Sequence, residues 1–344
     1  MRFKVAAFIA AGAALALFGC GSGDNTTTAG TTTTTGSTPA AAGGGDKPKI
    51  AVIPKGATHE YWKAIHAGAN DAAKALGAEI VWSAPEKEDD RSGQVDIVEN
   101  MVNQKVAGIC LAPLDDKALA KPVNAAIAAG IPVVVMDSAL NGVKSTSYVA
   151  TDNEKGGEMA GEYMGKLLDG KGKVVMIRYE EGSASTHERE EGFLVAIKKF
   201  PGITIVSDNQ YAGATTESAT KTGENVLSGL KKPDGSLSFD GLYTPNESST
   251  FGLLRVLQDN KWAGKIKFVG FDSSEKLVDG LKAGEINGLI LQNPYKMGYD
   301  SVKLMLDALA KKTVPEKEDT GASLVTKENM DQPDTAKLLK PPSA

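Results

Sequence analysis

The chain has 344 residues but only two cysteines and three histidines, and aromatic residues make up 6% of it. Cys20 and Cys110 cannot build a disulfide framework, and three histidines are too few for a histidine-rich metal site. Nor is there an excess of positive charge: 38 Lys and Arg stand against 43 Asp and Glu, a formal −5. A duplex-binding protein normally carries a basic face, so no nucleic-acid partner is expected. Outside the N-terminus, no apolar run approaches the ~20 residues of a spanning helix. These shortages exclude a disulfide miniprotein, a polytopic membrane protein, collagen and a coiled coil.

Catalytic signatures are equally scarce. Lys55-Gly56-Ala57-Thr58 is not a G-x-G-x-x-G turn. Gly165-Lys166 is followed by leucine, and no G-x-S-x-G elbow occurs. His59-Glu60 and His187-Glu188 lack a second histidine at metal-ligand spacing, so no metal is expected. No nucleophile with an orienting base can be named, and neither an enzyme nor a cofactor is expected.

What is present begins with an address. Arg2 and Lys4 precede an apolar run from Val5 to Phe18, the pattern of a secretory signal. Leu17-Phe18-Gly19-Cys20 resembles a bacterial lipobox, which implies that residues 1–19 are removed and Cys20 is acylated. The alternative is plain cleavage near Ala16, with Cys20 an idle thiol. Residues 21–46 hold nine threonines and seven glycines, with alanine the only apolar side chain. Such a segment cannot bury enough surface to order itself, so 20–46 is expected to be a flexible linker. Together these features imply an exported protein on the periplasmic or cell-surface side, held to a membrane by its lipid alone.

From Lys49 onward, short β-branched runs alternate with helical stretches. Strands are predicted at Lys49–Pro54, Glu79–Trp82, Gly108–Ala112, Val133–Met136 and Tyr148–Ala150, with helices such as Glu60–Leu76 between them. The alternation then restarts with helix Glu154–Leu168 and strand Lys173–Ile177. Helix Thr186–Phe200, strands Ile203–Val206, Gly241–Tyr243, Ile266–Gly270 and Gly288–Leu291, and a final helix Pro294–Leu309 follow. About ten strands separated by helices indicate parallel sheets covered on both faces. The expected fold class is therefore α/β, with two doubly wound parallel-sheet lobes rather than one open sheet.

Ligands of such sheets sit beyond the carboxyl ends of the strands. Those ends read Lys55 with His59-Glu60-Tyr61-Trp62, Pro113–Asp116, Asp137-Ser138, Thr151–Asn153, Arg178–Glu181, Asn246–Ser248, Phe271-Asp272 and Gln292-Asn293. Polar and aromatic groups at the strand ends of both halves suit a cleft for a small polar molecule.

Several segments are then recognisable: IAVIPKGATHEYW (50–62), PVVVMDS (132–138), VATDNEKGGEMAG (149–161), EREEGF (188–193), TPNESS (244–249), FVGFDSS (268–274) and LILQNP (289–294). In order and spacing the chain resembles the periplasmic sugar-binding proteins of the ribose-binding type, the solute receptors of ABC transporters. The resemblance implies a multi-strand hinge near 151–152, 292–294 and 321–322. It divides the chain into an N-terminal lobe of 47–151 plus 293–321, a C-terminal lobe of 152–292 plus 322–333, and a tail, 334–344. It implies a monomer that binds a monosaccharide or similar small polyol and delivers it to an ABC permease with its ATPase. The alternative partner is a chemoreceptor or sensor kinase, reading a sugar or a furanosyl signal.

Carried over by position, the resemblance implies that Tyr61 and Trp62 sandwich the sugar ring, with His59 nearby. Asp137 accepts from two hydroxyls, Arg189 donates from the second lobe, Asn246, Asp272 and Gln292 complete the contacts, and Thr151 sits at the first crossover. Lys55, His59, Ser138 and Ala112 depart from the ribose pattern, and Lys55 with Asp137-Ser138 is similar to receptors for a tetrahydroxyfuran signal. Structural alternatives stay open beside these roles. Tyr61 and Trp62 fit a core or staple, Asp137 and Asp272 fit N-caps, and Arg189 fits a surface pair with Glu180, Glu181 or Glu190. His59 fits a solvated loop, and Lys55 fits a partner for a pocket carboxylate. The run Glu86–Asp90 reads as a solvated loop capping the next helix, and Cys110 as an inert small hydrophobe.

Overall fold

A computed structural model describes residues 47–343; the expected signal sequence, Cys20 and the expected linker, 20–46, lie outside the described residues. The chain opens with β1 (Lys49–Ile53), α1 (Glu60–Leu76), β2 (Glu79–Trp82), α2 (Arg91–Asn103), β3 (Gly108–Leu111), α3 (Ala120–Ala128), β4 (Val133–Met136) and β5 (Ser147–Ala150). It continues through α4 (Asn153–Leu167), β6 (Lys171–Arg178), α5 (Ala184–Ile197), β7 (Gly202–Tyr211), α6 (Thr216–Gly229), β8 (Gly241–Tyr243), α7 (Glu247–Asp259), β9 (Lys267–Phe271), α8 (Glu275–Ala283) and β10 (Gly288–Gln292). Last come α9 (Pro294–Leu309), β11 (Lys317–Asp319), β12 (Ala322–Val325) and α10 (Pro333–Leu339).

Pairing sorts the strands into two six-stranded sheets, β2-β1-β3-β4-β5-β11 and β7-β6-β8-β9-β10-β12. The second order repeats the first for five strands, which makes the restart of the sequence pattern an internal repeat of topology. All pairs are parallel except β10 with β12. Each sheet is the centre of one lobe.

The helices cover both faces because each carries one apolar stripe. In α1, Trp62, Ile65, Ala69 and Ala72 are buried at helical spacing, and Gly77, at φ +82°, ends it by donating to Ala73 O. That stripe and Met297, Val302 and Met305 of α9 pack on Ile50, Val52, Cys110 and Val134. The opposite face of the first sheet carries α2 and α3 through Val98, Met101 and Val123. In the second lobe Met164 and Phe193 cover one face, and Leu227, Leu253 and Leu281 the other. Cys110 is fully buried, which raises its thiol pKa far above the usual value.

Four elements depart from the sequence pattern. Strand β7 runs on past Val206 to Tyr211, with register shifts against β6. Strands β11 and β12 were not expected after α9; they are three and four residues long, too short to show a period, and their pairing with β5 and β10 defines them. Within the expected tail, 334–344, residues 334–339 belong to α10, which seats Leu339 in the core of the second lobe.

The chain passes between the sheets three times, after β5, β10 and β11. Thr151 Oγ1 donates to Gln292 Oε1 over 2.8 Å and lies 3.4 Å from Thr320 Oγ1, so the three passages are tied to one another.

Candidate ligand-binding site

Asp137 follows β4 and Asp272 follows β9, equivalent places in the two lobes. Each adopts a left-handed backbone, φ +64° and +68°, while its N–H continues the sheet by donating to Val149 O or Ile290 O. Aspartate tolerates that conformation better than most residues. The turn releases each carboxylate into the cleft. Neither is an N-cap: no helix separates Asp137 from β5, and Ser274 occupies that place on α8.

On the first-lobe side, Lys55 Nζ lies 3.1 Å from Asp137 Oδ2, with both side chains 4% exposed. It also donates to Ser183 Oγ at 3.3 Å and Ser185 Oγ at 3.0 Å, at the start of α5. Lys55 thus pairs with a pocket carboxylate. Tyr61 Oη donates to Asp137 Oδ1 at 2.8 Å and to Gln292 Oε1 at 3.3 Å. The Tyr61 and Trp62 rings meet edge to face, 4.9 Å apart at 84°. They do not form the expected sandwich, because centroids that close leave no room for a third ring between them.

His59 is buried, not solvated, and its Nδ1 lies 2.6 Å from Glu88 Oε1. Glu88 also accepts from Trp62 Nε1 at 2.5 Å and from Tyr179 Oη of the second lobe at 2.7 Å. The charged run 86–90 is therefore only partly a solvated loop: Asp90 does cap α2, accepting from Gly93 N, but Glu88 belongs to the cleft.

From the second lobe, Arg189 lies over the Phe271 ring, 4.1 Å from its centroid. Its Nε donates to Asn153 Oδ1 at 2.8 Å and its Nη1 to Pro245 O at 3.0 Å. The surface pairing with a neighbouring glutamate is not formed; Glu190 binds Arg178 instead, at 2.7 Å. Gly157 and Gly192 make this placement possible: a Cβ at either would fall within 2.1 Å of a backbone oxygen of the facing helix, α5 or α4. Asn246 is the N-cap of α7 and donates its amide to Ser248 Oγ. Asp272 accepts from Gln292 Nε2 at 2.7 Å and from Glu247 N at 3.0 Å.

Lys55, His59, Tyr61, Trp62, Asp137, Arg189, Asn246, Asp272 and Gln292 line one cavity of about 30 Å³ between the lobes, while Thr151 holds Gln292 from outside that lining. Glu88, Tyr179, Ser185, Thr186 and Glu247 line it too. Tyr179 and Glu247 were legible as residues after strands; Glu88 carried no such signal. Among the described residues, Tyr148 Oη is the one buried side-chain polar atom without a hydrogen-bond partner. Most polar groups of the lining are thus paired within the protein, and a ligand must exchange its hydroxyls for these bonds.

Burial alone would lower His59, but the charge and hydrogen bond of Glu88 outweigh it and hold the imidazole at about 9. Burial opposes ionisation of Glu88, yet His59 with the bonds from Trp62 and Tyr179 brings it to about 2. Glu247 has weaker support: burial pushes it up to about 7, against the pull of His59 and with the push of Asp272. Burial also raises Asp272, partly offset by Arg189 and Gln292.

A family model for the periplasmic binding protein domain matches residues 50–313. This chain belongs to the periplasmic binding protein family. As such a protein it has close company among the solute-binding proteins of ABC transporters. It is 30% identical over 284 residues to the D-ribose/D-allose-binding protein of Pseudomonas aeruginosa, covering 80% of this chain and 86% of that protein. It is 29% identical over 266 residues to the D-allose-binding periplasmic protein of Escherichia coli, 75% and 83% of the two chains. A solved carbohydrate-transporter solute-binding protein of Agrobacterium radiobacter, in complex with D-arabinose, superposes with a TM-score of 0.81 at 33% identity over 86% of this chain and 99% of that one.

Proposed function

We propose that this periplasmic binding protein is a lipid-anchored receptor that takes up a monosaccharide or similar small polyol in its interlobe cleft and presents it to an ABC permease with its ATPase. The observation that carries this reading is the convergence of Asp137, Arg189, Asp272 and Gln292 from two lobes on one aromatic-walled cavity. Sugars have apolar C–H faces and a girdle of hydroxyls, which aromatic faces and planar charged groups match. Hydrogen bonds to charged groups are roughly twice as strong as neutral ones. A buried hydroxyl-reading site rejects ligands that lack the hydroxyl, because its own groups are left unpaired. Relatives named for ribose and allose, and a solved relative in complex with D-arabinose, support the substrate class. Export and a lipid at Cys20 fit a receptor working beside a permease.

A thermal-shift panel of pentoses, hexoses, polyols and sugar acids tests the reading. A ligand bound only by the native state adds RT ln(1 + [L]/Kd), about 4 kcal/mol at a thousandfold excess. We expect at least one neutral sugar to raise the melting temperature and to be recovered chemically unchanged. No shift across the panel, or conversion of the sugar, would overturn the proposal.

A further inference from the structure

Five helices in the described chain, α2, α4, α6, α7 and α9, are capped by the side chain of their own N-cap residue. Helices α1 and α5, which like α7 begin in the cleft, are not. His59 of α1 and Ser183 of α5 have extended backbones suited to capping but make no side-chain cap bond. Their free N–H groups are met from the opposite lobe. Glu247, at the start of α7 in the second lobe, accepts from Tyr61 N at 3.2 Å and Glu60 N at 3.4 Å. Ser138, following β4 in the first lobe, accepts from Ser185 N at 3.1 Å. Ser138 is 1% exposed and lies outside the cavity lining.

We infer that Ser138 and Glu247 are reciprocal closure latches, each capping a helix of the other lobe when the cleft is shut. An uncapped helix start leaves N–H donors without partners, and a carboxylate there also meets the positive end of the helix dipole. Opening the cleft breaks both caps, so they weight the closed form; Ser138 does so from outside the cavity lining, whereas Glu247 is also part of that lining. Affinity scales with the fraction of binding-competent protein, so losing a latch lowers affinity for all ligands by one factor. Lys55 and Tyr179 also bridge the lobes, but they and Glu247 line the cavity, so affinity changes there mix the two effects and Ser138 carries the affinity test.

This inference rests on the cleft being the ligand site, and its test separates the two. Ser138→Ala is compared with wild type by affinity and by lobe separation, and Glu247→Ala by lobe separation alone. Titration with D-ribose, D-allose and D-arabinose gives affinities, and small-angle scattering of the ligand-free proteins gives lobe separation. Ser138→Ala is expected to weaken every sugar that binds by a common factor of about threefold to thirtyfold, and both variants to widen the ligand-free form. A common loss of affinity, or a wider ligand-free form, supports the latch. Factors that differ among sugars, or unchanged affinity and separation together, overturn it. If none of the three sugars binds wild type, scattering alone decides: an unchanged separation overturns the latch, whereas the missing binding counts against the substrate reading.

Discussion

Lys55 and Asp137 form a buried ion pair across 3.1 Å at the floor of the cleft, and the same ammonium reaches Ser185 of the opposite lobe. A charge this enclosed depends on its partner. Removing one member strands the other in a poorly solvated site, a loss of about 3–5 kcal/mol, while replacing both by apolar groups is often neutral. Lys55→Met is therefore expected to lower stability by that amount in urea denaturation, and Lys55→Met with Asp137→Leu to recover most of it. A Lys55→Met protein as stable as wild type would contradict the pairing.

Asp137 and Arg189 approach the cavity from different lobes. Truncating either leaves buried polar groups unpaired, a loss on the order of 2–5 kcal/mol in binding. Calorimetric titration of Asp137→Ala and Arg189→Ala should show affinity falling at least about thirtyfold for a sugar that binds wild type. Near-native affinity in both would mean that the ligand sits elsewhere.

The pH dependence follows from three groups with known directions. His59 rises from 6.5 to about 9, so its contribution is whole below 6.5 and fades as pH climbs through 9. Glu247 rises from 4.5 to about 7, so its burial favours the protonated form and stability declines as pH climbs from 4.5 to 7. Glu88 falls from 4.5 to about 2, so its contribution is whole above 4.5 and fades as pH drops through 2. These groups, which face one another and Asp272, place greatest stability near pH 4.5–5, with decline toward pH 9. Melting curves should show Glu247→Gln flattening the acid-to-neutral limb and His59→Asn the alkaline limb. Unchanged profiles in both would refute the assignment.

Trp62 is the tryptophan of the cavity lining, its indole N–H held by Glu88. Trp262 sits in the second-lobe core, bonded to Gly235 O, and Trp82 stacks on His66 away from the cavity. Ligand titration is expected to give a saturable change in emission that Trp62→Phe removes and Trp262→Phe keeps. The reverse result would place the ligand away from the first-lobe aromatics.

Cys20 is proposed to carry the anchor. In a fractionated host, Cys20→Ser should move the protein from membranes to the soluble fraction with ligand affinity unchanged, as a flexible linker proposed over 20–46 would keep the lipid apart from the fold. A wild-type protein that is wholly soluble would rule the anchor out.

Much of this molecule is written locally. The apolar stripe of α1, the KIAVI and VVVM strands and the repeated alternation follow from side-chain period, which neighbouring residues set among themselves. Asp137, Arg189 and Asp272 were legible because they follow strands or lie in recognisable motifs. Contacts between distant residues were not legible. Glu88 sits in a charged run whose local pattern says solvent, and only Tyr179, 91 residues away, with His59 and Trp62, makes it a buried acceptor. Glu247 caps a helix 186 residues earlier in the chain, and no periodicity encodes such a partner. Strands β11 and β12 likewise exist through the edges they join. Sequence by itself determined the elements, their order and the residues at strand ends. Tertiary structure decided which charges are buried, who pairs with whom and how the lobes meet, because those depend on chain segments brought together only when both lobes have folded.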